Sequence, residues 1–232
     1  MVKKLTFLIL LSSFIFIFGC YGTQDVKIKV KVESKVNMKK YRNVAVLDLV
    51  DAQSNIATEQ GRMLSRMLRK QIRRSDEFDI MEEKNITEIL DENIVKEKIE
   101  SSQSLVEISD RLNVDALIVG TFDFYQISKA VPYIVERYSY STGRYSPEAR
   151  TYIQQVNRLL IYLKLVDGKT GETIFDFRPS AVERPARRNA WGLPFSSGPD
   201  PEVLRYMAKK PMDNFLLSLI PHYEYERRIL IQ

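Results

Sequence analysis

The chain has 232 residues, with 35 Lys and Arg against 30 Asp and Glu and a formal charge of +5. Its 44% hydrophobic and 28% charged residues are the balance of a folded body, which excludes wholesale disorder and leaves room for one ordinary domain with appendages. Lys3 and Lys4 fall in an apolar leader, so the remainder holds 33 bases against 30 acids interleaved in both halves; this excludes the concentrated positive face of a nucleic-acid protein, and no nucleic acid is expected as a partner.

Residues 1–20 open with Lys3 and Lys4 and continue through an apolar stretch over 5–18 broken only by Thr6, Ser12 and Ser13. These are the n- and h-regions of a secretory signal, shorter than the about 20 apolar residues that cross a bilayer. The segment closes Ile17-Phe18-Gly19-Cys20, which resembles a bacterial lipobox. The resemblance implies a diacylglycerol on the Cys20 sulfur and cleavage after Gly19, hence a signal peptide over 1–19 and a lipidated tether over 20–24. Cys20 is the only cysteine, so no disulfide within the chain accounts for it. Two or three acyl chains, at about 0.8 kcal/mol for each buried methylene, hold a protein on a membrane without spanning it. The alternative is a plain signal with an incidental cysteine.

Residues 25–36 alternate Val26, Ile28, Val30 and Val32 with Lys27, Lys29, Lys31 and Glu33, the pattern of a half-buried edge strand whose lysines discourage pairing with other chains. The same lysines lie near the lipid and could meet anionic head groups, but a solvated face is the simpler account. Residues 43–50 read as a buried strand, with Asp48 near its end and Asp51 just past it. A helix is expected over 56–74, with Met63, Leu64, Met67, Leu68 and Ile72 inward and Arg66, Arg69, Lys70, Arg73 and Arg74 on a solvated outer face. A short strand follows over 76–81. Two helices come next, one over Ile86, Ile89, Leu90 and Ile94 and one over Leu105, Ile108 and Leu112 capped by Ser102 or Ser104.

Residues 113–126 are the strand on which the rest is organised. Val114, Ala116, Leu117, Ile118 and Val119 form an apolar run that asks for cover on both faces. After Gly120 the pattern alternates, Phe122 and Phe124 against Asp123 and Tyr125, so one face of the far half should be near water. Residues 128–155 carry Tyr133, Tyr138, Tyr140, Tyr145 and Tyr152 around a turn at Ser141-Thr142-Gly143-Arg144, which would set Tyr140 opposite Tyr145 in a protruding hairpin. Tyrosine offers large area and a polar tip at small entropic cost, so these are candidate partner-binding residues. Membrane crossing by this hairpin is disfavoured by Glu136, Arg137, Glu148 and Arg150 along the arms and by Pro132 and Pro147, which would interrupt them.

Residues 157–166 and 173–177 make two strands of a second hairpin. Gly168-Lys169-Thr170 between them is not a phosphate loop, because that motif needs glycine where Leu163 stands. Residues 178–201 hold five prolines and Trp191, the only tryptophan and a further candidate for partner contact, in an expected irregular loop. A last helix over 202–220 should bend or restart at Pro211, and a charged tail follows.

His222 is the only histidine, so neither a Cys/His dyad nor a zinc site can be assembled. Asp48, Asp51 and Asp123 could meet at strand ends around a hard cation, though such aspartates are commonly turn formers. With no glycine-rich nucleotide fingerprint either, no catalytic residue, cofactor or metal is expected, and the protein is read as a non-enzyme.

The succession Asn43-Val-Ala-Val-Leu-Asp48, amphipathic helix, Phe78-Asp-Ile-Met81, helices, then Leu112-Asn-Val-Asp-Ala-Leu-Ile-Val-Gly-Thr121 resembles envelope lipoproteins of the CsgG type. That group includes the curli secretion lipoprotein, the LpoB activator of penicillin-binding proteins and the N-terminal domain of TolB. The resemblance covers residues 41–177. It implies an α/β fold with a mixed β-sheet flanked by helices, here one domain over 25–232, with outer-membrane attachment facing the periplasm. The role it implies is assembly or binding of an envelope protein partner, with homo-oligomerisation possible. An oligomeric outer-membrane export pore and a regulator of a peptidoglycan synthase are the alternatives.

Overall fold

A computed structural model describes residues 23–90, 101–185 and 201–231. Gly19, Cys20, Ile94 and Trp191 lie outside the described residues. The chain forms two units, an α/β body over Ser34–Ile220 and a ribbon made from residues 23–33 and 221–231. The body is the expected mixed sheet flanked by helices.

The ribbon pairs β1 (Thr23–Val32) with β10 (His222–Ile231), antiparallel along ten residues of each. The tail lacked a strand signature because polar residues fall on both of its alternating sets, Tyr223, Tyr225 and Arg227 on one and Glu224, Glu226 and Arg228 on the other.

In the body, β2 (Asn43–Val46) and β3 (Val50–Asp51) are two pieces of one path that runs parallel to β6 (Ala116–Ser139). The pairing shifts between them, from Val46 opposite Ile118 to Val50 opposite Thr121, so the first strand carries one residue more than its partner. The expected single strand over 43–50 is therefore broken at 47–49. Beyond β3 lies the short β4 (Ile56–Ala57), antiparallel to it, and β5 (Asp79–Ile80) runs parallel to β2 on the outer side. On the other edge of β6 comes β7 (Arg144–Asp167), which also pairs β8 (Thr173–Phe177) and β9 (Val182–Pro185). β9 corrects the expectation of an irregular loop at these residues: its alternate Val182 and Arg184 were masked by the flanking prolines.

Among the described residues, two helices cover each face. On one side α1 (Glu59–Arg73) and α4 (Pro201–Leu219) bury Leu64, Leu68, Ile72, Met207, Met212 and Phe215 against Val44, Val46, Ala116, Ile118, Phe122 and Ile161. On the other, α2 (Glu83–Ile89) and α3 (Ser102–Leu112) bury Ile86, Leu105, Ile108 and Leu112 against Ala45, Leu47, Leu117 and Val119. The apolar run in β6 is thus buried on both faces, as its composition requires. Ser101, in place of the expected Ser102 or Ser104, caps α3 by accepting from the Ser104 N–H at 3.2 Å. α4 runs unbroken through Pro211, which is itself buried in the core.

The turn after β7 is organised by Asp167. Its carboxylate accepts from the N–H groups of Lys169 and Thr170 and, at 3.0 Å, from the Tyr41 hydroxyl. Partial burial pushes the Asp167 pKa up, but these donors outweigh it and hold the group below the ordinary aspartate value. A carboxyl depressed in the fold contributes stability that is complete above its unfolded pKa of about 3.9 and is lost as pH falls through the folded value. Thermal melts should therefore show Asp167→Asn less stable than the parent at neutral pH, with the gap narrowing below about pH 4.

Candidate functional site: the projecting hairpin

β6 and β7 pair without a break over 24 residues each, from Ala116 opposite Asp167 to Ser139 opposite Arg144. Their inner halves are core strands. The last neighbour on the outer edge of β6 is β3, at Phe122, and the last on β7 is β9, at Val156. The twelve pairs from Ser128 opposite Gln155 to the tip therefore stand as a two-stranded ribbon about 40 Å long, with no further strand on either edge among the described residues.

The turn occupies residues 140–143, with Gly143 at φ +61° and its N–H donating to the Ser139 carbonyl at 2.8 Å. Glycine tolerates that left-handed backbone, which places it last in the turn. The expected register is thereby moved: Tyr145 faces Tyr138, and Tyr140 lies in the turn, 94% exposed. The rings of Tyr138 and Tyr145 are 5.1 Å apart and those of Tyr138 and Tyr140 5.2 Å apart, a cluster at the tip. Tyr133 and Tyr152 form a second pair at 5.6 Å. Tyr133 and Tyr138 are five residues apart, an odd number, so the two clusters lie on opposite faces.

An unbroken register fixes what else each face carries. The face shared with Tyr138 holds Ala130, Pro132 and Ile134 on β6 and Pro147 and Ala149 on β7, with Glu136 as the one carboxylate. Ile134 is 74% exposed and Tyr145 69%. The opposite face holds Lys129, Arg137, Glu148 and Arg150 around Tyr133 and Tyr152. Glu148 pairs with Arg150 at 3.3 Å and Arg137 at 3.6 Å, and the Arg150 hydrogen bond is what chiefly holds its carboxyl below the ordinary range. Lys129 reaches Glu183 of β9 at 2.7 Å. The charges that seemed scattered along the arms are thus gathered, Glu136 apart, on one side.

The prolines do not interrupt the strands. The carbonyls of Ile118 and Phe122 accept from Leu47 and Ala52, on the edge away from β7. Even-numbered residues of β6 therefore aim their backbone groups outward, and so do their cross-strand partners on β7. Pro132 and Pro147 belong to this class. Each stands where its missing N–H would have pointed out of the ribbon, so no ladder bond is lost and both free edges are blunted.

The other sequence candidates have local partners: Asp51 and Asp123 meet at Gln53, and Asp48 is engaged elsewhere. Asp48 pairs with Arg69 at 2.9 Å, Asp51 accepts from the Gln53 N–H, and Asp123 accepts from the Gln53 side chain. No group of three or more His, Cys, Asp or Glu side chains converges among the described residues. His222 bonds Glu224 at 3.1 Å. The basic face of α1 is only partly solvated. Arg66 engages Glu59 and Glu83, and Arg69 is buried, with Lys70 and Arg74 left outward beside a cleft of about 620 Å3. Sequence reasoning missed Ile134, Ala149 and the prolines as one surface, although counting alternate positions back from the tip would have found them.

No family model and no curated protein matches the chain. Among solved structures it is similar to the PelC dodecamer from Paraburkholderia phytofirmans, with 12% identity over 84% of this chain and 98% of that one and a TM-score of 0.37. It is also similar to the hypothetical protein CT253 from Chlamydia trachomatis, with 8% identity, 77% and 98% coverage and a TM-score of 0.39. A neuraminyllactose-binding hemagglutinin homolog from Helicobacter pylori matches at 12% identity, 85% and 90% coverage and a TM-score of 0.37. At TM-scores this low the likenesses establish neither family nor role.

Proposed function

We propose that the protein is a non-enzymatic lipoprotein of the CsgG type, held by acylated Cys20 at the periplasmic side of a bacterial outer membrane, whose hairpin docks an envelope protein partner. The observation that carries the reading is the uncovered apolar face from Ala130 to the tyrosine tip, backed by a charged face that keeps the ribbon soluble. A partner strand laid along either edge would meet proline, so the face, not the edge, is the docking element.

Replacing residues 132–151 by Asn-Gly tests this. Val131 and Tyr152 are cross-strand partners of the hydrogen-bonded class, which a two-residue turn can close. Pull-down from solubilised envelopes is expected to lose its partner with the shortened chain while the melting of the body stays as it was. Unchanged partners would overturn the reading.

One-sided charge also favours a second reading, a homo-oligomeric export pore with the apolar faces toward lipid. That reading predicts ring-shaped particles and dye leakage from liposomes. The prolines weigh against it, because barrel closure needs both edges of every hairpin.

A further inference from the structure

The ribbon of β1 and β10 has a face that neither strand reveals alone. Its register sets Lys27 against Arg227, Lys29 against Tyr225 and Lys31 against Tyr223. Strand alternation then puts all six on one side, and all six are exposed. Lys29 Nζ stands 4.2 Å from the centre of the Tyr223 ring. Asp25 and, past the strand, Glu33, which pairs with Lys31 at 2.8 Å, are the carboxylates at the two ends of this face. The reverse face carries Val26, Ile28, Val30 and Val32 with Glu224, Glu226 and Arg228, so cations are concentrated on one side only. Thr23, where β1 begins, follows Cys20 by three positions, a reach of about 10 Å.

We propose that this face lies against anionic phospholipid head groups, with Lys27, Lys29, Lys31 and Arg227 at the phosphates and Tyr223 and Tyr225 in the interfacial layer. Cations near a negative surface attract it within a Debye length, and tyrosine rings suit the head-group level. The site is a second membrane contact that orients the protein where an acyl tether alone would let it swing. Its placement beside the bilayer rests on the lipidation proposed for Cys20.

The test uses a chain beginning at Tyr21, which keeps every described residue and carries no acyl group. Sedimentation with phosphatidylcholine vesicles, pure or one-third phosphatidylglycerol, is expected to show about tenfold or greater preference for the anionic ones, falling as salt is raised. K27Q/K29Q/K31Q/R227Q should bind both vesicles equally while its body melts as the parent does. K70Q/R74Q, which removes two exposed cations at the end of α1 and just past it, should bind like the parent. Equal binding of the parent to both vesicles, undiminished preference in the quadruple variant, or its loss in K70Q/R74Q would each overturn the proposal. Fatty-acid labelling of the full chain reports on the tether separately: a chain that takes no label while the Tyr21 chain still prefers anionic vesicles keeps the face and removes the anchor.

Discussion

Arg69→Ala is expected to destabilise the body by about 3 kcal/mol, the scale for removing one partner of a buried ion pair. The residue is 5% exposed. Its guanidinium donates to the Val46 carbonyl through Nε at 3.1 Å and Nη2 at 2.7 Å, pairs with Asp48 at 2.9 Å and lies 3.3 Å from Glu83. The carbonyl before it in register, that of Val44, is satisfied at 3.0 Å by the N–H of Met81, the residue after β5. One step further β5 has turned away into α2, and Arg69 supplies the donors the sheet no longer provides. Alanine would leave that carbonyl without a partner and the Asp48 carboxylate with only the longer 3.7 Å contact to Arg62. For a body of this size the melting midpoint should fall by roughly 6–12 °C. Arg69→Leu combined with Asp48→Leu should recover part of the loss, because it removes the buried guanidinium and its partly buried carboxylate together while the Val46 carbonyl stays without its donors. A midpoint for Arg69→Ala within a degree or two of the parent would show that the network contributes little.

Ile134→Lys with Ala149→Glu is expected to weaken partner capture by roughly thirtyfold, the effect of losing about 2 kcal/mol at a binding centre. The two residues face each other across the hairpin, so the new side chains can pair with one another and leave the ribbon intact. Arg137→Gln, on the reverse face, is the companion measurement and should leave capture nearly unchanged. Loss with Arg137→Gln and not with the face variant would move the docking surface to the charged side.

How much of this could be read beforehand divides along physical lines. The start of β6 was legible because an apolar run with no polar break needs burial on both faces, and Ala116 to Val119 met that test. The rise of the hairpin was legible too, from a glycine-bearing turn between two tyrosine-rich arms. Its register was not, since one residue's displacement of the turn depends on which position takes positive φ, and that is Gly143. Arg69 was misplaced on the solvated side because charge outweighed geometry in the reading. Gly61, Ser65 and Arg69 recur every four residues and form one stripe of α1 directed at the break between β2 and β3. Gly61 lets the helix close on the Leu49 carbonyl, where a Cβ would collide, and the Ser65 hydroxyl accepts from the Leu49 N–H at 2.9 Å. A stripe of small and polar residues inside an amphipathic helix is the signal that a strand beneath it has lost its ladder partner.

The pairing of Thr23 with Ile231 also sets an order of assembly. A contact between residues so distant along the chain is among the most expensive in loop entropy, and its second strand is made only after the whole of the body. The body is free to fold first, while β1 has no strand partner until β10 has been made. Lysines at every second position suit that interval, because they keep an unmatched strand from zipping onto the wrong neighbour.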